Sequence, residues 1–114
     1  MPDSATEQIE DTTTALLASL WIRYRPLVDE RLALLDRAAA SAAANTLDVD
    51  SREEAADVAH KLAGSLGMYG YDQGSRLARQ LEILLDYASP DADRLGALAT
   101  ELRQAITSPA PHSS

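Results

Sequence analysis

The chain has 114 residues, enough for one small domain with a modest hydrophobic core. Its net charge of −8 at pH 7 argues against nucleic acid and anionic membrane surfaces as partners, because both attract clustered Lys and Arg. The absence of cysteine excludes disulfides and thiolate metal sites, and a composition without Phe and with one Trp favours helices over strands.

The ends of the chain give no sign of targeting or membrane insertion. No apolar run approaches the roughly 20 residues that span a bilayer. The acidic N-terminus lacks the basic and apolar regions of a signal peptide. We therefore expect a cytoplasmic protein, and the start at Met1 together with a loose C-terminal tail suggests a complete small protein.

The first part of the chain predicts two helices separated at a proline. Apolar residues recur at helical spacing from Ile9 to Tyr24, which predicts helix one over about residues 5–24. Pro26 cannot continue the hydrogen-bond ladder of that helix, but it suits the first turn of a new one. Helix two is therefore predicted over residues 26–44.

The rest of the chain predicts three further helices. Helix three, over residues 52–69, ends before Gly70, which suits a left-handed cap. Helices four and five are predicted over residues 73–88 and 90–107, and Ser89 is the expected N-cap of helix five.

Amphipathic helices of this length with short connections pack as up-down bundles. The predicted fold is all-α: an antiparallel up-down four-helix bundle made of helices two to five, with helix one as an additional N-terminal helix packed on it. Residues 5–107 are predicted to form this single bundle domain. Residues 1–4 and 108–114 are expected to be disordered, since neither segment has much to bury.

One histidine is predicted to lie on the outer surface of helix three. The apolar stripe of that helix is formed by Ala55, Val58, Ala59, Leu62, Leu66 and Tyr69. At 100° per residue, His60 lies roughly 150° from the centre of the stripe. Gly64 and Gly67 fall beside His60, although a glycine inside a helix costs about 0.5–1 kcal/mol relative to alanine. This pair of glycines suggests that something approaches the helix closely at His60.

The same segment resembles a known family. The pattern Ala59-His60-x-Leu62-x-Gly64-Ser65, closed by Gly70, resembles the signature of histidine-containing phosphotransfer (HPt) domains. The segment RLARQLE at residues 76–82 resembles the next helix of that family, and the helix pattern extends the resemblance over most of the chain. The resemblance implies a helical bundle that accepts and donates a phosphoryl group on His60. It implies as partners the receiver domains of response regulators, which exchange that group through an aspartate, and hybrid histidine kinases.

The chain departs from the family pattern at one position. The family usually has lysine three residues after the histidine, where this chain has Ala63. Lys61 supplies a cation, but it lies about 100° around the helix from His60. If helices three and four form an antiparallel hairpin, Arg79 and Glu82 should flank His60. Arg79 is then either the missing cation or simply the partner of Glu82 in an i, i+3 ion pair.

The predicted site combines a phosphorylated residue with a docking surface. The phosphorylated residue is His60, and the residues expected to dock the partner or to stabilise the phosphoryl group are Lys61, Gly64, Ser65, Gly67, Arg79 and Glu82. No metal site is expected, since no second His or Cys lies at i+3 or i+4. We expect no cofactor and no autonomous catalytic activity, because no nucleotide-binding loop is present, and we expect a monomer.

Two other functions stay open. Ala63 raises the possibility of an adaptor that has kept the fold and binds a receiver or kinase domain without carrying phosphate. An ordinary helical dimerisation module would instead use helix one and Trp21, although Trp21 is better explained as the residue that packs helix one on the bundle. His112 lies in the tail and is assigned no role.

Overall fold

The structure, a computed structural model, describes residues 3–107, with side chains from Thr12 onward. Within that range it is all-helical, without strands, and the helices are α1 (Asp3–Ala43), α2 (Val49–Met68), α3 (Asp72–Leu85) and α4 (Ala92–Thr107). The predicted all-α class is therefore confirmed. Residues 1–2 and 108–114, for which disorder was predicted, lie outside the described residues, and α1 already includes residues 3 and 4.

The first helix is continuous through Pro26, where the sequence predicted a break. A proline removes one backbone donor and normally kinks or ends a helix. Here Tyr24, Val28 and Leu32 continue one apolar stripe on both sides of the proline, and Val28 and Leu32 are buried in the core. We attribute the continuity to this burial, which outweighs one lost hydrogen bond. The additional N-terminal helix is thus not confirmed, because that segment is the first half of α1.

The helices are arranged in a ring around a core of leucine and alanine. α1 packs against α2 and α4, α2 against α3, and α3 against α4. The largest fully buried side chains are Val28, Leu32, Leu62, Leu66, Leu81, Leu85, Leu95, Leu98, Leu102 and Ile106. In this order α2 and α4 lie diagonally opposite each other. The outer, solvent-facing side of α2 therefore has α1 on one side of it and α3 on the other.

An aromatic cluster closes one end of the bundle. The ring of Trp21 lies 5.2 Å from that of Tyr69 and 4.8 Å from that of Tyr71, between ring centroids. Tyr24 stacks on Tyr69 at 5.7 Å. Arg25 lies over the Trp21 ring at 5.8 Å and donates a hydrogen bond to the carbonyl oxygen of the last buried residue of α4. Trp21 therefore packs α1 on the α2–α3 turn, which is the role preferred from the sequence.

The turn between α2 and α3 fixes their antiparallel pairing. Gly70 has a φ of 88°, the left-handed conformation predicted for it. The Tyr71 N–H donates to the carbonyl oxygen of Leu66 at 2.9 Å, which closes the end of α2. The start of α4 differs from the prediction. The Asp91 carboxylate, not the Ser89 hydroxyl, accepts a hydrogen bond from the backbone N–H of Arg94 in the first turn.

The N-terminal part of α1 extends beyond the bundle. The molecule measures 63 × 20 × 19 Å along its principal axes, whereas the 20 residues of α2 span about 30 Å at 1.5 Å per residue. Leu17 is the first described side chain that packs against the core, and residues 12–16 are exposed. None of the described helices is long and apolar enough to cross a membrane.

Candidate functional site

His60 lies on the outer face of α2, as predicted from the spacing of its apolar residues. Its side chain is 70% exposed, whereas the neighbouring Ala59 and Leu62 are completely buried. This exposure means that a group outside the bundle has access to the imidazole ring without any rearrangement of the helices.

A carboxylate from the neighbouring helix binds one nitrogen of the ring. The Nδ1 atom of His60 lies 2.6 Å from Oε2 of Glu82 on α3. An ionised carboxylate can only accept hydrogen bonds, so Nδ1 carries the hydrogen and donates the hydrogen bond to Glu82. In the neutral ring the lone pair is then on Nε2. Glu82 was expected to flank His60 from the register of the hairpin, and the structure places it there.

The packing of α2 against α3 sets the position of Glu82. The Ser75 hydroxyl donates to the carbonyl oxygen of Ala63 at 2.7 Å. A Cβ at Gly67 would lie 3.4 Å from that same hydroxyl oxygen, which is an ordinary van der Waals contact. Gly67 is exposed, and it lies on the side of α2 that faces Ser75 of α3.

No contact among the described residues explains why residue 64 is a glycine. It is exposed, one turn after His60 on the same face of α2, and a Cβ placed there would have nothing within 4 Å. By contrast, a Cβ at the buried Gly74 would lie 3.2 Å from Ile106. A side chain at position 74 would thus crowd its neighbours, whereas position 64 has open space for one.

Arg79 is exposed on α3, one turn before Glu82. Along α3, Arg79 lies between Ser75 and Glu82, whose side chains both form hydrogen bonds with α2. It is therefore at about the height of His60 and of the helical turn that follows His60. Among the described residues no ion pair joins Arg79 to Glu82, whose carboxylate binds His60 instead. The structure therefore does not show the i, i+3 pair considered as the simpler explanation of Arg79.

The other cation near His60 is already paired. Nζ of Lys61 lies 2.9 Å from Oδ2 of Asp57, one turn earlier on α2. The hydrogen bond from Lys61, and then its charge, lower the pKa of the Asp57 carboxyl below its ordinary value. Lys61 therefore lies in the predicted region, but its contact is with Asp57 on the side of α2 nearer α1.

Ser65 takes part in contacts between α1 and α2. Its hydroxyl donates to the carbonyl oxygen of Lys61 at 3.0 Å, so the Tyr24 hydroxyl, 2.8 Å away, is the donor to Ser65. Arg31 in turn donates to the Tyr24 oxygen and lies over its ring at 5.6 Å. This chain of contacts was not predictable from the sequence, because Tyr24, Arg31 and Ser65 are brought together only by the packing of α1.

Ala63 is more deeply placed than the sequence indicated. It is not among the residues of the predicted apolar stripe, but it is buried within the core cluster, and its carbonyl oxygen accepts a hydrogen bond from Ser75 on α3. A lysine at this position would have to extend its chain out of the interface before its ammonium group reached solvent.

Comparison with known proteins identifies the family. The sequence-family model of the Hpt domain matches residues 4–108 of this chain. The chain therefore belongs to the Hpt domain family. Protein RcaC from Microchaete diplosiphon is 35% identical over 71 residues, which cover 62% of this chain and 11% of RcaC. The chain thus spans only a small part of that relative. No solved structure matches it.

Membership of this family indicates the general function of the domain. Hpt domains are phosphotransfer carriers of two-component phosphorelay signalling, and their partners are receiver and kinase components. The chain is accordingly a phosphotransfer domain in two-component signalling.

Proposed function

We propose that His60 is the residue that carries the phosphoryl group, which it exchanges with the aspartate of receiver domains. The observation that supports this most strongly is the pairing of Nδ1 with Glu82 on an exposed ring. It leaves Nε2 as the nucleophile and holds the ring in one orientation. Imidazole suits this role because it is partly neutral near pH 7.

The transfer step follows from that arrangement. The Nε2 lone pair attacks phosphorus as the bond from phosphorus to the aspartyl oxygen breaks, and the aspartate leaves as a carboxylate. The ring, still protonated on Nδ1, becomes positively charged, and the Glu82 carboxylate 2.6 Å away stabilises that charge. Attack in line with the leaving oxygen requires open space in front of Nε2, which the exposure of His60 provides.

The outer face of α2 and α3 is the proposed docking surface for the receiver domain. Gly64 leaves the backbone of α2 uncovered beside His60, so a partner loop has room to approach. Arg79 is the proposed cation for the phosphoryl oxygens, since it lies on the neighbouring helix at the height of the site. Lys61 and Ser65 belong to the side of this surface that faces α1, and Gly67 belongs to the side that faces α3, next to Ser75.

In this account the chain is a carrier without catalytic activity of its own, and its partner supplies the remaining groups. We propose receiver domains of response regulators and a hybrid histidine kinase as the partners, because they are the sources and acceptors of phosphoryl groups in such relays. A cytoplasmic location remains a prediction.

The chain itself provides a matched pair of variants for the test, since it has two histidines. Receiver domains labelled with radioactive phosphate are mixed with the wild-type protein, His60→Gln or His112→Gln. We expect acid-labile label on the wild type and on His112→Gln, and none on His60→Gln. Label that persists on His60→Gln would refute the assignment.

The adaptor hypothesis remains the second candidate, because Ala63 occupies the position where the family usually has lysine. It predicts that no receiver domain labels the wild-type protein although binding is detected. It also predicts a large gain of transfer in Ala63→Lys, whereas the carrier hypothesis predicts a modest increase or no change.

A further inference from the structure

The orientation of the His60 ring decides where a phosphoryl group on Nε2 would lie. One carbon atom separates the two nitrogens of an imidazole ring, so the two nitrogens point in divergent directions. Nδ1 points at the Glu82 carboxylate on α3, 2.6 Å away, and Nε2 therefore points outwards and away from α3. The phosphoryl group would thus lie on the side of His60 that is remote from Glu82.

An ion pair within α2 occupies that side of His60. Asp57 precedes His60 by three residues and Lys61 follows it directly, so the two charged residues flank the ring along the helix. At 100° per residue both are displaced around the helix in the same direction. It is the direction away from Ala63, whose carbonyl oxygen accepts the hydrogen bond from α3. Nζ of Lys61 lies 2.9 Å from Oδ2 of Asp57.

The electrostatics of Asp57 also indicate that its carboxylate is close to the ring. The pKa of Asp57 is lowered mainly by the hydrogen bond from Lys61 and by the charge of Lys61. The charges of His60 and of Arg31 on α1 lower it further. A negative group added to His60 would therefore act on both members of the ion pair, repelling Asp57 and attracting Lys61.

The ion pair is easily exchanged for another. The side chains of Lys61 and Asp57 are 56% and 59% exposed, and an exposed pair of this kind is held only weakly. A phosphoryl group offers three acceptor oxygens and more negative charge than one carboxylate. It is therefore the stronger partner for an ammonium group that can reach both.

We propose that Asp57 and Lys61 form a charge switch beside the phosphoryl site. Lys61 pairs with Asp57 while His60 is unmodified, and it turns to the phosphoryl oxygens once His60 is phosphorylated. The inference rests on the proposed function and adds Asp57 to the residues that govern it. Arg79 and Lys61 then hold the group from α3 and from α2, and Arg31 remains near Asp57 as a positive charge after Lys61 has left.

The switch affects the balance between accepting and donating the phosphoryl group. When the group is donated, the bond from phosphorus to Nε2 breaks, a bond to the carboxylate oxygen of the receiver aspartate forms, and the ring returns to its neutral form. Asp57 repels the phosphoryl group and competes with it for Lys61, so it favours the unmodified state of His60. Its charge therefore promotes donation to the receiver domain.

The test measures how the phosphoryl group is distributed at equilibrium between His60 and one labelled receiver domain. Asp57→Asn should raise the ratio of phosphorylated to unmodified His60 about threefold or more, because it removes the repulsion and releases Lys61. Glu101→Gln is the matched control, since it removes one negative charge from an exposed residue on α4, away from the site. It should leave the ratio unchanged, and an equal ratio in Asp57→Asn and Glu101→Gln would overturn the proposal.

A second pair of variants tests the exchange of partners. In a Lys61→Gln background, Asp57→Asn should have a clearly smaller effect on the ratio, because no ammonium group is left to release. Equal effects in both backgrounds would show that Asp57 acts by repulsion alone and would contradict the switch. Failure of the proposed function is distinguishable: label would then be absent from the wild type or present on His60→Gln, and the switch would be refuted with it.

Discussion

Replacement of Gly64 by alanine should make the protein more stable and a poorer phosphoryl carrier. Gly64 is inside α2, where glycine costs about 0.5–1 kcal/mol relative to alanine. A Cβ at this position meets nothing within 4 Å, so no strain offsets the gain. For a domain of this size the expected rise in the melting temperature is about 2–5 °C.

The loss of function has a separate cause. If a receiver domain packs against the bare backbone beside His60, one added methyl group overfills the contact. Overpacking of that kind costs about 1–3 kcal/mol, which corresponds to a loss of roughly fivefold or more in the rate constant for transfer at low concentration.

Gly96 provides the matched control. It lies inside α4, diagonally opposite α2, and a Cβ there also meets nothing within 4 Å. Gly96→Ala should therefore raise the melting temperature by a similar amount and leave transfer unchanged. The two variants are compared by thermal unfolding and by the rate of phosphoryl transfer from one labelled receiver domain. Equal transfer rates in Gly64→Ala, Gly96→Ala and wild type would refute the argument that Gly64 is kept for a partner.

Substitutions at three further residues test other parts of the site and fold. Glu82→Ala should slow transfer about tenfold with little change in melting temperature, because the ring loses the acceptor that fixes its orientation; a normal rate would contradict the role of Glu82. Arg79→Ala should slow transfer and shorten the lifetime of the phosphorylated protein, and Arg79→Lys should retain most of both, so equal lifetimes in Arg79→Ala and wild type would exclude Arg79 as the cation. Trp21→Ala should lower the free energy of unfolding by about 2–4 kcal/mol, measured by denaturant titration, since it removes the centre of the aromatic cluster; a loss below about 0.5 kcal/mol would show that α1 does not depend on it.

The sequence predicted the helical class and the outward position of His60 because both follow from one periodicity. Apolar residues at helical spacing define the buried side of each helix, and a polar residue on the other side must face solvent. Gly70 was also predictable, since few residues other than glycine adopt a left-handed conformation readily.

The continuity of α1 was not predictable from local rules. Pro26 favours a break when it is considered alone, and the burial of Val28 and Leu32 in phase with Tyr24 becomes decisive only when the bundle is assembled. The N-cap of α4 was missed for a more local reason, because Ser89-Pro90 and Asp91 are both acceptable starts and the structure uses Asp91.

The candidate site was predicted in outline but not in its contacts. The register of the hairpin indicated that Glu82 would flank His60, but not which ring nitrogen it would bind. Ser65 was assigned to the docking surface, although its hydroxyl is held by Tyr24 and by a backbone carbonyl. Such contacts depend on side-chain rotamers and on helix packing, which spacing along one helix does not determine.

The most direct measurement of the central claim is the position of the phosphoryl group on the imidazole ring. The protein is labelled with ¹⁵N in histidine, phosphorylated by a receiver domain and examined by nuclear magnetic resonance. The account predicts phosphorus bonded to Nε2 of His60, with Nδ1 protonated and hydrogen-bonded to Glu82. A phosphoryl group on Nδ1, or on a residue other than His60, would contradict it.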